Sequence, residues 1–353
     1  MPKKIIISFD GTWNTPDPNQ EVDGNSSTNI WKLHDAILST DTSGVKQDKW
    51  YEKGVGTEWY NKFRGGAFGV GLSEKIQEGY KHLANTFEEG DQIFIFGFSR
   101  GAYSARSLVG LIRNAGLLRQ QHVGLVPEAY SLYRTRDEGA DSENAKFFRK
   151  ENSREVTIHF LGVWDTVGAL GIPVESFEWF NKSFYQFHDT ELSGIVKNAF
   201  HAIAIDEHRK SYQCSLWDPK EKPNQTIEQV WFSGAHANIG GGYDNDPLSD
   251  ISLRWMMEKA QNCGLALDQS KISNIPQGIP PITDSYKDFL GGAYSKFEPR
   301  YFRTIGTTLY GQESIDSTVF QRIGLDPNYR PENDVKTNLI GIKPVGRIRR
   351  LPS

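Results

Sequence analysis

The chain has 353 residues, and its 40 lysines and arginines nearly balance 44 aspartates and glutamates, for a net charge of −4. That balance, with no run of five like charges, excludes the electrostatic footprint of a dedicated nucleic-acid binder. With only Cys214 and Cys263 there is neither a disulfide framework nor a cysteine-based zinc site. A chain this long can bury a full core without covalent staples. No stretch approaches the ~18 apolar residues of a membrane span. The three isoleucines after Lys3-Lys4 are too few for a signal peptide. The expected compartment is therefore the cytoplasm, with signal-less secretion as the other route.

In chain order, the first apolar run is Ile5–Phe9, which ends in Asp10-Gly11-Thr12. Lys49–Gly54 is a weaker strand. Leu72–Phe87 carries apolar residues at 72, 76, 80, 83 and 87, one face of a helix. Gln92–Phe96 runs into Gly97-Phe98-Ser99-Arg100-Gly101, and Ala102–Ile112 repeats small and apolar residues at helical spacing, with Gly116 as a stop. Pro127–Arg134 reads as helix. Val156–Trp164 ends in Asp165-Thr166-Val167-Gly168, and Glu228–Phe232 ends in Ser233-Gly234-Ala235-His236. Leu248–Ala260 is an amphipathic helix with Ser249 and Asp250 as capping candidates.

Near-continuous apolar runs of this length read as strands buried on both faces of a parallel sheet. Strands alternating with helices are the α/β pattern, in which ligands bind beyond the carboxyl ends of the strands. All four polar clusters sit at such ends, so they should converge. The economical reading is one α/β core over residues 1–353, with insertions. Residues 117–155 and the aromatic-rich 173–200 are candidate cap or lid insertions, and an irregular C-terminal third begins near Asn274. His201, Asp206, His208 and Arg209 read as helical.

Gly97-Phe98-Ser99-Arg100-Gly101 matches G-x-S-x-G between a buried strand and a helix rich in small residues, the context of a nucleophile elbow. Ser99 is the candidate nucleophile. The backbone N–H of Arg100, at the start of the following helix, is a candidate oxyanion donor. A serine needs a base, and the base needs an orienting carboxylate. Of the eight histidines, only His236 directly follows a buried strand, in a loop rich in glycine. Asp165 ends a strand, where a carboxylate is costly unless hydrogen-bonded. Asp206 is the competing acid, expected on a helix face beside Arg209.

Phe9-Asp10-Gly11-Thr12 resembles the opening loop of haloacid-dehalogenase-type phosphatases, but Ser8 stands where their nucleophilic aspartate is required. In a hydrolase this loop supplies the second oxyanion donor, from Gly11 or Thr12, and Asp10 is a turn or network residue. Gly65–Gly71 lacks the spacing of a nucleotide-binding loop and reads as a turn.

Four motifs occur in order: Phe9-Asp-Gly-Thr-Trp-Asn14, Gly97-Phe-Ser-Arg-Gly-Ala-Tyr103, Gly162-Val-Trp-Asp-Thr-Val-Gly168, and Trp231-Phe-Ser-Gly-Ala-His236 followed by Gly240-Gly-Gly-Tyr243. Together they resemble an α/β-hydrolase family whose better-understood members are phospholipase effectors of bacterial type VI secretion. The resemblance runs from about residue 3 to 260. Beyond residue 270 only Ser317–Arg322 and Tyr329–Asn333 are similar. Asn238 stands where the family usually has aspartate, and Asp316 where it usually has histidine.

The resemblance implies a Ser–Asp–His esterase acting on a small-molecule or lipid ester, with peripheral membrane contact, carried here by Ser99, Asp165 and His236. Neither a metal nor an organic cofactor is implied. Acyl transfer or thioesterase chemistry with the same three residues is the alternative enzyme, and a non-catalytic interaction module is the alternative class. The aromatic stretch 177–187 is either an acyl-chain wall or ordinary core.

Overall fold

Six consecutive buried residues, Lys4–Phe9, form strand β1. Burial on both faces is what an apolar run without alternation requires. The computed structural model describes residues 2–11, 27–54, 68–135, 139–167, 192–218, 224–244, 246–271, 278–310 and 312–335. Thr12 and the aromatic stretch 177–187 lie outside these residues. So do 65–67, whereas Phe68–Gly71, expected in a turn, open a helix.

The strands that follow are β2 (Gln47–Glu52), β3 (Gln92–Phe98), β4 (Leu117–Leu118), β5 (Ser153–Arg154), β6 (Ile158–Trp164), β7 (Val196–Ala204), β8 (Thr226–Phe232) and β9 (Glu313–Ile315). Among the described residues, seven of them form one sheet in the order β2-β1-β3-β6-β7-β8-β9. Every pair in it is parallel. All carboxyl ends therefore lie along one edge. The register sets Phe9 beside Gly97, Phe98 beside Trp164, Trp164 beside Ala202, and Ala204 beside Phe232.

The helices are α1 (Asn29–Ala36), α2 (Phe68–Thr86), α3 (Arg100–Ala115), α4 (Val126–Arg134), α5 (Glu143–Asn152), α6 (His236–Gly240), α7 (Ser249–Asn262), the four-residue α8 (Ser285–Asp288) and α9 (Tyr294–Phe297), and α10 (Ser317–Leu325). Alternation along the strands divides the core in two. On one face Ile5, Ile7, Ile93 and Ile95 pack with Ile76, Tyr80 and Leu83 of α2 and Ala105, Leu108 and Leu111 of α3. On the other, Ile6, Phe94, Phe96 and Phe160 pack with Leu33 of α1 and Leu253 and Met256 of α7.

Within 117–155, the described residues form the antiparallel β4–β5 pair with α4 and α5. Leu117, Leu118, Val126 and Ala129 join the α2–α3 layer, and the Tyr80 hydroxyl donates to the Gly116 carbonyl (2.7 Å).

Three further expectations change. Residues 196–204, partly assigned to an insertion and with His201 read as helical, are β7, an interior strand. Its composition (Val-Lys-Asn-Ala-Phe-His-Ala-Ile-Ala) mixes helix-favouring alanines with polar residues, which hides a strand from a reading of apolar runs. Asp206 accordingly lies just beyond a strand and not on a helix. The C-terminal third contributes edge strand β9 and α10, which pack Ile315 and Val319 against Ile203 and Trp231.

Candidate active site

Ser99 sits between β3 and α3 with φ 58° and ψ −120°, backbone that L-residues rarely adopt. The turn is tight because its flanks carry no side chains. A Cβ on Gly97 would stand 2.5 Å from the Gly101 oxygen, and one on Gly101 would collide with the carbonyls of Phe9 and Asp10. The Ser99 N–H donates to the Trp164 carbonyl at 3.0 Å, pinning the turn to β6.

His236 opens α6 with only three residues between it and the end of β8: Ser233 and Gly234 leave the strand, Gly234 has φ 132°, and Ala235 caps the helix. Its Nε2 lies 2.8 Å from the Ser99 hydroxyl, and its Nδ1 lies 2.6 Å from Oδ2 of Asp165. Phe98 packs on the imidazole at 4.7 Å between ring centroids, and Tyr212 meets it edge-on at 5.0 Å. The three side chains named from sequence are thus brought into one hydrogen-bonded line at the carboxyl edge of the sheet.

Asp165 has no solvent exposure and also sits at positive φ, 37°. Its Oδ1 accepts from the Ala204 N–H (3.0 Å) and from Arg303 Nη1 (2.6 Å), and its Oδ2 accepts from Arg303 Nη2 (3.0 Å). Burial alone would raise this carboxyl, but the guanidinium and the His236 hydrogen bond outweigh it and hold it below the usual carboxylate range. An ionised Asp165 accepts the Nδ1 proton and leaves Nε2 as the acceptor for the Ser99 hydroxyl. Burial lowers the His236 pKa, only partly offset by Asp165, which favours the neutral imidazole a base needs.

Of the oxyanion candidates, Arg100 is the first residue of α3, so its backbone N–H belongs to the positive end of the helix. Gly11 abuts Ser99, but its N–H donates to the Asp10 carboxylate at 2.6 Å. Thr12 lies outside the described residues. Asp10 is the hub of a buried network, accepting also from Thr28 (2.7 Å) and Tyr51 (2.5 Å), and burial raises its pKa.

The competing acid is placed elsewhere. Asp206 accepts from the Gly234 N–H (2.6 Å) and the Tyr329 hydroxyl (3.0 Å). Arg209 does not pair with it; its guanidinium grips Glu207. Asn238 accepts from Ala235 N–H (3.1 Å) and donates to Asp246 (3.1 Å), bracing the loop that carries His236. Asp316 caps α10. His201 is buried within β7, where its Nε2 accepts from the Thr166 N–H at 3.1 Å.

Arg303 and Glu207 were not legible. Arg303 lies in a stretch without periodicity, and Glu207 looks like an ordinary charge in a polar cluster. Among the described residues, no group of three His, Cys, Asp or Glu is arranged to hold a metal ion, and no helix is long and apolar enough to cross a membrane.

The model of the family described as "T6SS, Phospholipase effector Tle1-like, catalytic domain" matches residues 3–259. The chain is 30% identical over 241 residues to "Uncharacterized protein YEL023C" of Saccharomyces cerevisiae, a match covering 62% of this chain and 33% of that protein. The chain thus spans about a third of the length of this relative. Two solved structures are similar in outline. One is an uncharacterized protein from Pseudomonas aeruginosa, with TM-score 0.46, 18% identity, and coverage of 78% of this chain and 48% of that one. The other is the Tle1 effector bound to the VgrG spike of the type 6 secretion system, with TM-score 0.45, 16% identity, and coverage of 78% and 76%.

Proposed function

The chain belongs to the family of type VI secretion, Tle1-like phospholipase effector catalytic domains, and we propose that it hydrolyses lipid carboxylic esters as a serine hydrolase. The observation that carries this reading is the line from Asp165 through His236 to Ser99, with hydrogen bonds of 2.6 and 2.8 Å. In this mechanism Ser99 attacks the ester carbonyl while His236 Nε2 takes its proton. Asp165 holds the imidazole and stabilises the imidazolium. The same imidazolium then protonates the leaving alcohol, and water, activated by His236, releases the acyl group from Ser99.

The Arg100 N–H and one donor from the Gly11–Thr12 turn hold the oxyanion. The Gly11 N–H is engaged by Asp10, so this scheme assigns the second donor to Thr12. The chemistry requires neither a metal nor an organic cofactor. We place 117–155 as an insertion on a single hydrolase domain that works at a lipid surface.

The experiment is fluorophosphonate labelling of Ser99 combined with turnover of phospholipids, triacylglycerols and short p-nitrophenyl esters. Labelling with hydrolysis of at least one lipid class is the expected result. An unlabelled, inert protein would overturn the reading, and faster turnover with added alcohols or thiols would redirect it to acyl transfer.

A further inference from the structure

The oxygens of Asp165 are shared between His236 and a guanidinium from a part of the chain that the family match does not reach. Arg303 forms a two-pronged pair with the carboxylate, and Oδ2 accepts from both Arg303 Nη2 and His236 Nδ1. The side chains of Arg303 and Asp165 are 3% and 0% exposed, so water screens little of this interaction. Arg303 is itself held in place. It donates to the carbonyls of Ala204 (2.8 Å) and Tyr212 (2.5 Å), and buried Asn333 donates to the Arg303 carbonyl (3.0 Å).

We infer that Arg303 is a positioning residue for the proposed reaction, aiming Asp165 at His236 and setting the pH at which the Asp165–His236 pair takes up its proton. The inference rests on the serine-hydrolase reading. A buried carboxylate bonded only to an imidazole strongly favours the imidazolium. A guanidinium on the same oxygens cancels much of that pull, so the imidazole stays neutral, and able to act as a base, to lower pH.

Removing the guanidinium therefore has a defined sign. The pair takes up its proton at higher pH, whether the proton resides on Nε2 or on the carboxyl. The other charged or titratable groups around the pair are Glu207 paired with Arg209, His201, Cys214, Arg106 and Tyr212. Arg303 also acts on Glu207, His201 and Cys214, but all of these groups stay in the chain when Arg303 alone is replaced, so a shift originates in the lost guanidinium.

The test compares wild type, Arg303→Met and Arg303→Lys by two measurements. One is the pH profile of kcat/KM on a p-nitrophenyl ester. The other is the titration of the His236 ring by NMR of histidine-labelled protein, assigned with a His236→Gln sample. In Arg303→Met both the acid limb and the ring titration should move up by about one pH unit, and Arg303→Lys should return them to near the wild-type position.

A uniform loss of kcat/KM at every pH, with the ring titration unmoved, would reduce Arg303 to scaffold and overturn the inference. If Arg303→Met does not fold, Arg303→Gln carries the same expectation. If neither folds, the wild-type His236 titration decides: a ring midpoint above the free-imidazole value of about 6.5 would show that the pull of Asp165 is not cancelled and would overturn the inference. An inert wild-type protein would sink the hydrolase reading alone, because the NMR titration needs no turnover.

Discussion

Glu207 holds His236 by its backbone: Oε2 accepts the His236 N–H at 3.2 Å while Arg209 donates 2.8 Å bonds to both carboxylate oxygens. The guanidinium lies 3.5 Å from the centre of the Tyr212 ring, whose edge meets the imidazole. Burial alone would raise the Glu207 carboxyl, but Arg209 outweighs it and brings it down to about 2. Glu207→Gln leaves Arg209 buried without its counter-ion, so a loss of ~3–5 kcal/mol is expected. Chemical denaturation measures it, and the double change Glu207→Gln with Arg209→Met should recover part of the loss. A Glu207→Gln protein as stable as wild type would show the pair to be dispensable.

Ser99→Ala should remove ester hydrolysis, by on the order of 10⁴-fold or more. The fold should survive, because the hydroxyl makes one hydrogen bond at the sheet edge and fills no core space. Near-native circular dichroism and melting with lost turnover is the expected pair of results. Retained turnover would remove Ser99 from the mechanism.

Asp165→Asn and Asp206→Asn separate the two carboxylates. Asp165→Asn should cost about 10⁴ in turnover, since the imidazole loses its tautomer and its charge partner. It should also lower stability by ~3–5 kcal/mol, because Arg303 is left buried against a neutral amide. Asp206→Asn weakens the bonds to the Gly234 N–H and the Tyr329 hydroxyl. A cost of ~1–3 kcal/mol is expected, with kcat changed by no more than a few-fold. If the kinetic losses were reversed, the acid would have to be reassigned.

Gly97→Ala tests the elbow. The new Cβ would meet the Gly101 oxygen at 2.5 Å and the Ala102 Cα at 2.6 Å. These are backbone atoms, and they cannot yield without parting α3 from β3. A loss of ~3 kcal/mol or more, with turnover falling in step, is expected in thermal melting and assay. Wild-type melting would mean the strand–helix junction is looser than described.

Acid should weaken the fold well above the carboxylate range. Burial, with a smaller contribution from Lys49, lowers His34 from 6.5 to about 4. Burial, with Arg106, lowers His201 to about 3. Below pH 6.5 the unfolded chain binds these protons and the folded chain does not. Their contribution is therefore complete above 6.5 and is lost as pH falls toward 4 and 3. Asp10 and Asp206, raised by burial, act in the opposite sense. A comparison with His34→Gln isolates one histidine. Between about pH 6 and 5 the wild-type stability should fall more steeply than that of His34→Gln, by up to ~1.4 kcal/mol per pH unit. Parallel slopes in denaturant titrations would contradict a neutral His34.

The local sequence of this protein determined the strands that are apolar throughout and the turns that end them. β1, β3, β6 and β8 were legible because burial on both faces leaves no polar alternation. Ser99, Asp165 and His236 stood out because each follows such a strand directly or within a short turn. The glycines around Ser99 announced a backbone that tolerates no Cβ.

Tertiary structure decided the rest. β7 is a strand because β6 and β8 bond to both its edges, although its alanines, lysine and asparagine favour no strand by themselves. Which carboxylate faces His236 depended on where β7 ends: the turn beyond it gives Asp206 to Gly234 and leaves Asp165 to the imidazole. Arg303 stands 138 residues from Asp165 in an aperiodic segment. Local propensity and spacing report on neighbours along the chain. A buried ion pair between distant segments exists only once the chain has folded and desolvation has made it strong.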